Sequence, residues 1–126
     1  MSNCLTFPPC PLTVLTGDYE KMIDIHNAIM SDLSMPMPTI LKLADRANMS
    51  PSKFRKLFIE IFGTSIYQYH LRARMELAKR LLLSNQLTIV QIAYKVGFNR
   101  SQSFAKAFLA HTGQTASQYK KDNLTL

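Results

Sequence analysis

Thr39-Ile-Leu-Lys-Leu-Ala44 is written again as Thr88-Ile-Val-Gln-Ile-Ala93, 49 residues later. Behind it, Phe54, Phe58, Gly63 and Tyr69 return as Phe104, Phe108, Gly113 and Tyr119, now 50 residues later. The slip of one residue falls between Asn48-Met49-Ser50-Pro51 and Gly97-Phe98-Asn99-Arg100, in a turn that absorbs an extra residue at little cost. Both copies carry the punctuation of helices. Thr39 precedes Ile40, Leu43, Ala44 and Ala47, and Thr88 precedes Ile89, Ile92, Ala93 and Val96, each a capping threonine before apolar residues at helical spacing. Ser50-Pro51 restarts a helix, a serine cap with proline at the first position, and Phe54, Leu57, Phe58 and Ile61 share one face up to Gly63. In the second copy Gly97 and Asn99 make the turn, and Phe104, Ala107, Phe108 and His111 follow as far as Gly113. Two helices separated by three or four residues match a helix-turn-helix unit, here present twice.

Between the copies, Tyr67 to Leu83 is the longest helical pattern, with Tyr69, Leu71, Ala73, Met75, Leu77, Ala78 and Leu81 to Leu83 interleaved with Arg72, Arg74, Lys79 and Arg80. Such a helix is a rod of about 25–28 Å, a little short of one turn of DNA. Ahead of the first copy, Ile23, Ile25, Ala28, Ile29 and Leu33 predict an amphipathic helix from Asp18 to about Leu33, with Asp18 as its cap and Ser34-Met-Pro-Met-Pro38 as its stop. A last short helix, Ala116 to Lys121, presents Tyr119. Residues 1–17 hold Phe7-Pro-Pro-Cys-Pro11 and no helical period; they read as a linker or the remnant of something upstream. No segment has a strand period, so the fold class is all-α. The expected organisation is a DNA-binding domain over 18–126, with units at about 39–63 and 88–113 joined by a helix at about 66–84.

The charge follows the repeat. The whole chain carries +7, but residues 1–45 hold two Lys/Arg against five Asp/Glu, and residues 46–126 hold thirteen against three. A surface of +10 over the repeat attracts a polyanion, either nucleic acid or an anionic membrane. No apolar run approaches the roughly 18–20 residues that span a bilayer. Nothing at the N-terminus resembles a secretion signal, so the location expected is the cytoplasm. Cys4 and Cys10 fit no common metal spacing and read as reduced thiols without a role.

From about Thr39 to Lys121 the chain resembles the DNA-binding domain of AraC/XylS-type bacterial transcriptional regulators. The segments that carry the resemblance are Met49-Ser-Pro-Ser-Lys-Phe-Arg-Lys-Leu-Phe58, Phe62-Gly-Thr-Ser-Ile66 with Tyr69, Arg74-Met-Glu-Leu-Ala-Lys-Arg-Leu-Leu82, Ile92-Ala-Tyr-Lys-Val-Gly-Phe98, and Phe104 to Phe108. One position departs from the family: Ala116 stands where it usually places proline, between the expected Thr115 and Tyr119. The resemblance implies about seven helices, two homeodomain-like helix-turn-helix units in tandem and a long central helix that sets their separation. It further implies a sequence-specific regulator, an activator in most members, that reads two successive major-groove segments of double-stranded DNA and recruits RNA polymerase. Family members usually carry a sensing or dimerisation domain upstream.

Carried over by position, the base-reading residues are Ser52, Arg55 and Lys56 in the first copy and Ser101, Gln102, Ala105 and Lys106 in the second. Arg55 can bond guanine O6 and N7 together, and Gln102 can bond adenine N6 and N7; Ala105 can touch a thymine methyl. Arg55, Lys56 and Lys106 are equally suited to neutralising phosphates. Thr39, Lys53, Thr88, Asn99 and Arg100 sit at or beside helix N-termini, where phosphate contacts form alongside capping. The first copy offers more base-specific groups, so it is expected to carry more of the discrimination, on an asymmetric site. Arg72, Arg74, Lys79 and Arg80 are expected to face solvent or pair with Glu76.

Other residues read more simply. The six aromatic residues of the repeat occur at core spacing, and His26, His70 and His111 are too scattered for a metal site. With no glycine-rich phosphate loop, nucleophile elbow or metal motif, neither catalysis nor a cofactor is expected. The alternative to a DNA reader is a basic helical module that docks on an acidic protein or an anionic membrane.

Overall fold

Local signals set most of the helix boundaries. A computed structural model describes residues 8–124, and among these every regular element is a helix: α1 (Thr16–Met30), α2 (Ile40–Arg46), α3 (Pro51–Phe62), α4 (Ile66–Ser84), α5 (Ile89–Lys95), α6 (Ser101–Thr112) and α7 (Ala116–Leu124). Cys4 and the first seven residues of the expected linker lie outside the described residues. The Thr39 hydroxyl accepts from the Lys42 N–H (3.3 Å), Ser50 from Lys53 (3.2 Å) and Thr88 from Gln91 (3.1 Å). Gly63 and Gly113 end α3 and α6 in the left-handed conformation, at φ 83° and 82°.

The chain divides into two compact units. The first comprises the described residues up to Ser31 together with Met37–Tyr69. Its core joins Met22, Ile25 and Ile29 of α1, Leu43 and Ala44 of α2, Phe54, Leu57, Phe58 and Ile61 of α3, and Ile66 at the start of α4. The second comprises Asp32–Pro36 and the described residues from His70 onward. There Met75, Ala78 and Leu82 of α4 pack with Ile92, Ala93 and Val96, with Phe104 and Phe108 of α6, and with Ala116 of α7. Phe54, Phe58, Phe104 and Phe108 are all fully buried, a contribution of about 1.5–3 kcal/mol each.

The duplication is longer than its sequence signature. The buried stripe Met22/Ile25/Ile29 has the spacing of Met75/Ala78/Leu82, so each unit supplies a leading helix to its helix-turn-helix. Tyr69 meets Phe58 edge-on at 5.6 Å and 83°, and Tyr119 meets Phe108 at 5.6 Å and 76°. The slip is also located. Met49 and Phe98 donate to Ala44 and Ala93 in the same way, and Phe54 and Phe104 to Ser50 and Arg100, which leaves Asn99 as the additional residue. Asn48 (φ 58°) and Gly97 (φ 94°) both take the left-handed turn position, which asparagine and glycine tolerate best. Ala116 is buried and Thr115 caps Gln118 (3.1 Å), so the last turn forms without the family's proline.

Several local expectations are corrected. α1 starts at Thr16 with Leu15 at the cap position, so Asp18 is not the cap but a first-turn acid suited to the helix dipole. Its end is Met30, ahead of the prolines; Asp32 then accepts the Ser34 N–H (3.0 Å) and turns the chain. The inward stripe of α1 includes Met22 and His26, whereas Ala28 is exposed. Leu83 and His111 face solvent rather than the core. Part of the expected linker is bound to the first unit: Val14 is buried, Thr13 donates to Glu60 on α3 (2.9 Å), and the Tyr19 hydroxyl donates to the Pro8 carbonyl.

Candidate nucleic-acid interface

In the first unit α3 is the second helix of the helix-turn-helix. Because Phe54, Leu57, Phe58 and Ile61 point into the core, Ser52, Lys53, Arg55 and Lys56 emerge on the solvent side. They comprise one hydroxyl, one guanidinium and two ammonium groups near the start of a helix, where partial positive charge already favours anions. Lys53 is committed within the unit: its Nζ lies 3.1 Å from Asp18 Oδ2 in the first turn of α1. That partner was not legible beforehand, since the position of Asp18 suggested a cap.

In the second unit α6 presents Gln102, Ala105 and Lys106 to solvent, opposite buried Phe104 and Phe108. Ser101 is half-buried at the first helical position and corresponds to Pro51 rather than to Ser52. The equivalent pairs are therefore Ser52 with Gln102, Arg55 with Ala105, and Lys56 with Lys106. Arg100 occupies the cap position without a side-chain bond to the helix, and Asn99 beside it is exposed.

Thr39 and Thr88 open α2 and α5, the first helices of the two helix-turn-helices, and are both exposed. Each hydroxyl accepts its cap bond, which leaves its own O–H to donate. Thr88 is held further by a full capping box, its N–H donating to Gln91 Oε1 at 2.8 Å.

The cations of α4 behave differently from one another. Lys79 pairs with Glu76 at 2.8 Å, as expected, and His111 approaches the same carboxylate at 3.5 Å. The Lys79 bond holds the Glu76 carboxyl below its ordinary range. Arg74 turns instead to backbone: it donates to the carbonyls of Leu33 (3.1 Å) and Met35 (3.0 Å) and lies over the Phe98 ring at 5.7 Å. Burial, then the nearby Arg74, pushes the His70 imidazole down to about 4. His26 is also lowered by burial and bonds the Tyr69 hydroxyl at 2.7 Å. Among the described residues no three His, Cys, Asp or Glu side chains gather as a metal would need, and no helix is long and apolar enough to cross a membrane.

Comparison with known proteins agrees with this geometry. The helix-turn-helix domain family matches residues 43–122. The chain is 38% identical over 102 residues to the HTH-type transcriptional regulator AlkR of Acinetobacter baylyi, covering 79% of this chain and 33% of that protein. It is 34% identical over 95 residues to the transcriptional activator AggR of Escherichia coli, covering 75% and 35%. The C-terminal domain of the two-component response regulator yesN from Fusobacterium nucleatum superposes with a TM-score of 0.72 at 30% identity, covering 80% of this chain and 98% of that one. The chain thus spans about a third of the length of the curated relatives it matches.

Proposed function

The chain belongs to the AraC-type family of helix-turn-helix DNA-binding domains, and we propose that it is a sequence-specific regulator of bacterial transcription that acts as an activator. One observation carries the reading: a duplicated scaffold turns two unlike sets of hydrogen-bonding and cationic side chains outward, on the second helix of each helix-turn-helix. Each second helix enters a major-groove segment, Ser52/Arg55/Lys56 in one and Ser101/Gln102/Ala105/Lys106 in the next. Lys53, Thr39, Thr88, Asn99 and Arg100 contact phosphates and set the register. The site is asymmetric, because the two sets differ.

Its work is binding without catalysis, in the cytoplasm, where a bacterial chromosome lies. The name of AggR supports activation, for which RNA polymerase is the partner. The greater length of the relatives supports a sensing or dimerisation domain upstream in the natural protein. Selection of bound sequences from random DNA, at stated salt, tests the reading. Two unlike half-sites should emerge, with affinity falling steeply as salt rises. Binding to anionic vesicles with no preference among DNA sequences would overturn it.

A further inference from the structure

Two large aliphatic side chains stand in water at the same place in the two copies. Ile59 on α3 is 50% exposed and Leu109 on α6 is 47% exposed. Seven residues, about two helical turns, separate Ile59 from Ser52 and Leu109 from Gln102. The outward stripes are therefore Ser52/Arg55/Lys56/Ile59 and Gln102/Ala105/Lys106/Leu109, at the i, i+3, i+4, i+7 spacing of a single helix face. Homeodomains read bases with four residues at these same intervals on one helix. One exposed aliphatic residue is ordinary on a protein surface. Here the position recurs in two helices whose first two outward residues have diverged, Ser52 against Gln102 and Arg55 against Ala105, so that the two faces share a lysine, Lys56 or Lys106, and the aliphatic end.

We propose that Ile59 and Leu109 are base-contacting residues, each packing against the C5-methyl group of a thymine in the major groove. The inference rests on the DNA-reading function proposed above and names part of what is read. The thymine methyl is the apolar group that the major-groove edge displays, and dehydrating it against a side chain that is itself exposed removes apolar surface from water on both partners. For α6 the consequence is larger. Ala105 and Leu109 together give that helix a thymine-directed surface, in place of the guanine-directed chemistry that Arg55 brings to α3.

The test starts from the duplex that the intact chain selects out of random DNA. Each thymine in it is replaced singly by deoxyuridine, which removes the methyl group and keeps the base pair. Affinity should fall about three- to fivefold at a thymine or more in each half-site. Ile59→Ala should abolish that sensitivity at one thymine of one half-site and Leu109→Ala at one thymine of the other, leaving any thymine facing Ala105 as sensitive as before and the melting temperature unchanged. An enriched site that is indifferent to every deoxyuridine, or equally sensitive in the parent and both variants, overturns the proposal and leaves the DNA-reading function standing. A pool with no enriched sequence overturns that function and the proposal with it.

Discussion

The guanidinium carbon of Arg74 occupies the space that a side chain at Gly97 would need: a Cβ there would lie 2.5 Å from it and 2.6 Å from the Leu33 carbonyl oxygen. The turn of the second helix-turn-helix, the loop at Leu33 to Met35 and the middle of α4 thus meet at one arginine. Gly97→Ala combines left-handed strain with this collision, whereas nothing lies within 4 Å of a Cβ at Gly63 or Gly113. Urea unfolding should show a loss above about 2 kcal/mol for Gly97→Ala and about 1 kcal/mol for Gly113→Ala. Equal losses would mean that the arginine gives way freely.

Lys53 is held by Asp18 in the free protein. Asp18→Asn releases it toward the DNA backbone, so the slope of log affinity against log salt should steepen by about one. Unfolding free energy should move by less than about 1 kcal/mol, since Lys53 is half exposed. An unchanged slope would place Lys53 away from the phosphates.

In the proposed complex Arg55 and Gln102 are the main hydrogen-bonding readers of their helices. Arg55→Ala should relax selection at one position by about 1–3 kcal/mol. Gln102→Ala should relax it less, because a bidentate bond from a neutral amide is weaker than one from a guanidinium. Equal relaxation in a binding-site selection would remove the inequality between the copies.

His70 gives the fold a defined acid limit. Its folded value of about 4 lies below the ordinary 6.5, so between the two the unfolded chain takes up a proton that the folded chain refuses. Stability from this group is therefore complete above pH 6.5 and is lost as pH falls toward 4, by up to about 3 kcal/mol. His26, lowered by burial, acts in the same direction. Denaturant titrations across this range should show the slope, and His70→Gln should flatten most of it.

What the sequence made legible was local. Threonine and serine caps, the Ser50-Pro51 start, the glycine stops and the phenylalanine stripes each act within four residues, and the stripes also reveal which residues point outward. Asp18 was misread because its partner is on another helix, and Arg74 because its two carbonyls lie 41 and 39 residues away. The leading helix of each unit escaped the repeat because Met22/Ile25/Ile29 and Met75/Ala78/Leu82 share spacing but little identity. Ile59 and Leu109 do not stand out in the sequence, because hydrophobic character alone does not tell a packed side chain from one left in water.

The extra residue Asn99 has an energetic consequence. It leaves Arg100, whose side chain makes no cap bond, where the first copy has Ser50 as a cap ahead of Pro51. A missing cap costs about 1 kcal/mol of helix stability, so the first turn of α6 frays more readily than that of α3. In the proposed complex α3 meets the duplex already wound, whereas α6 loses conformational entropy on arrival and is completed by the phosphate it meets.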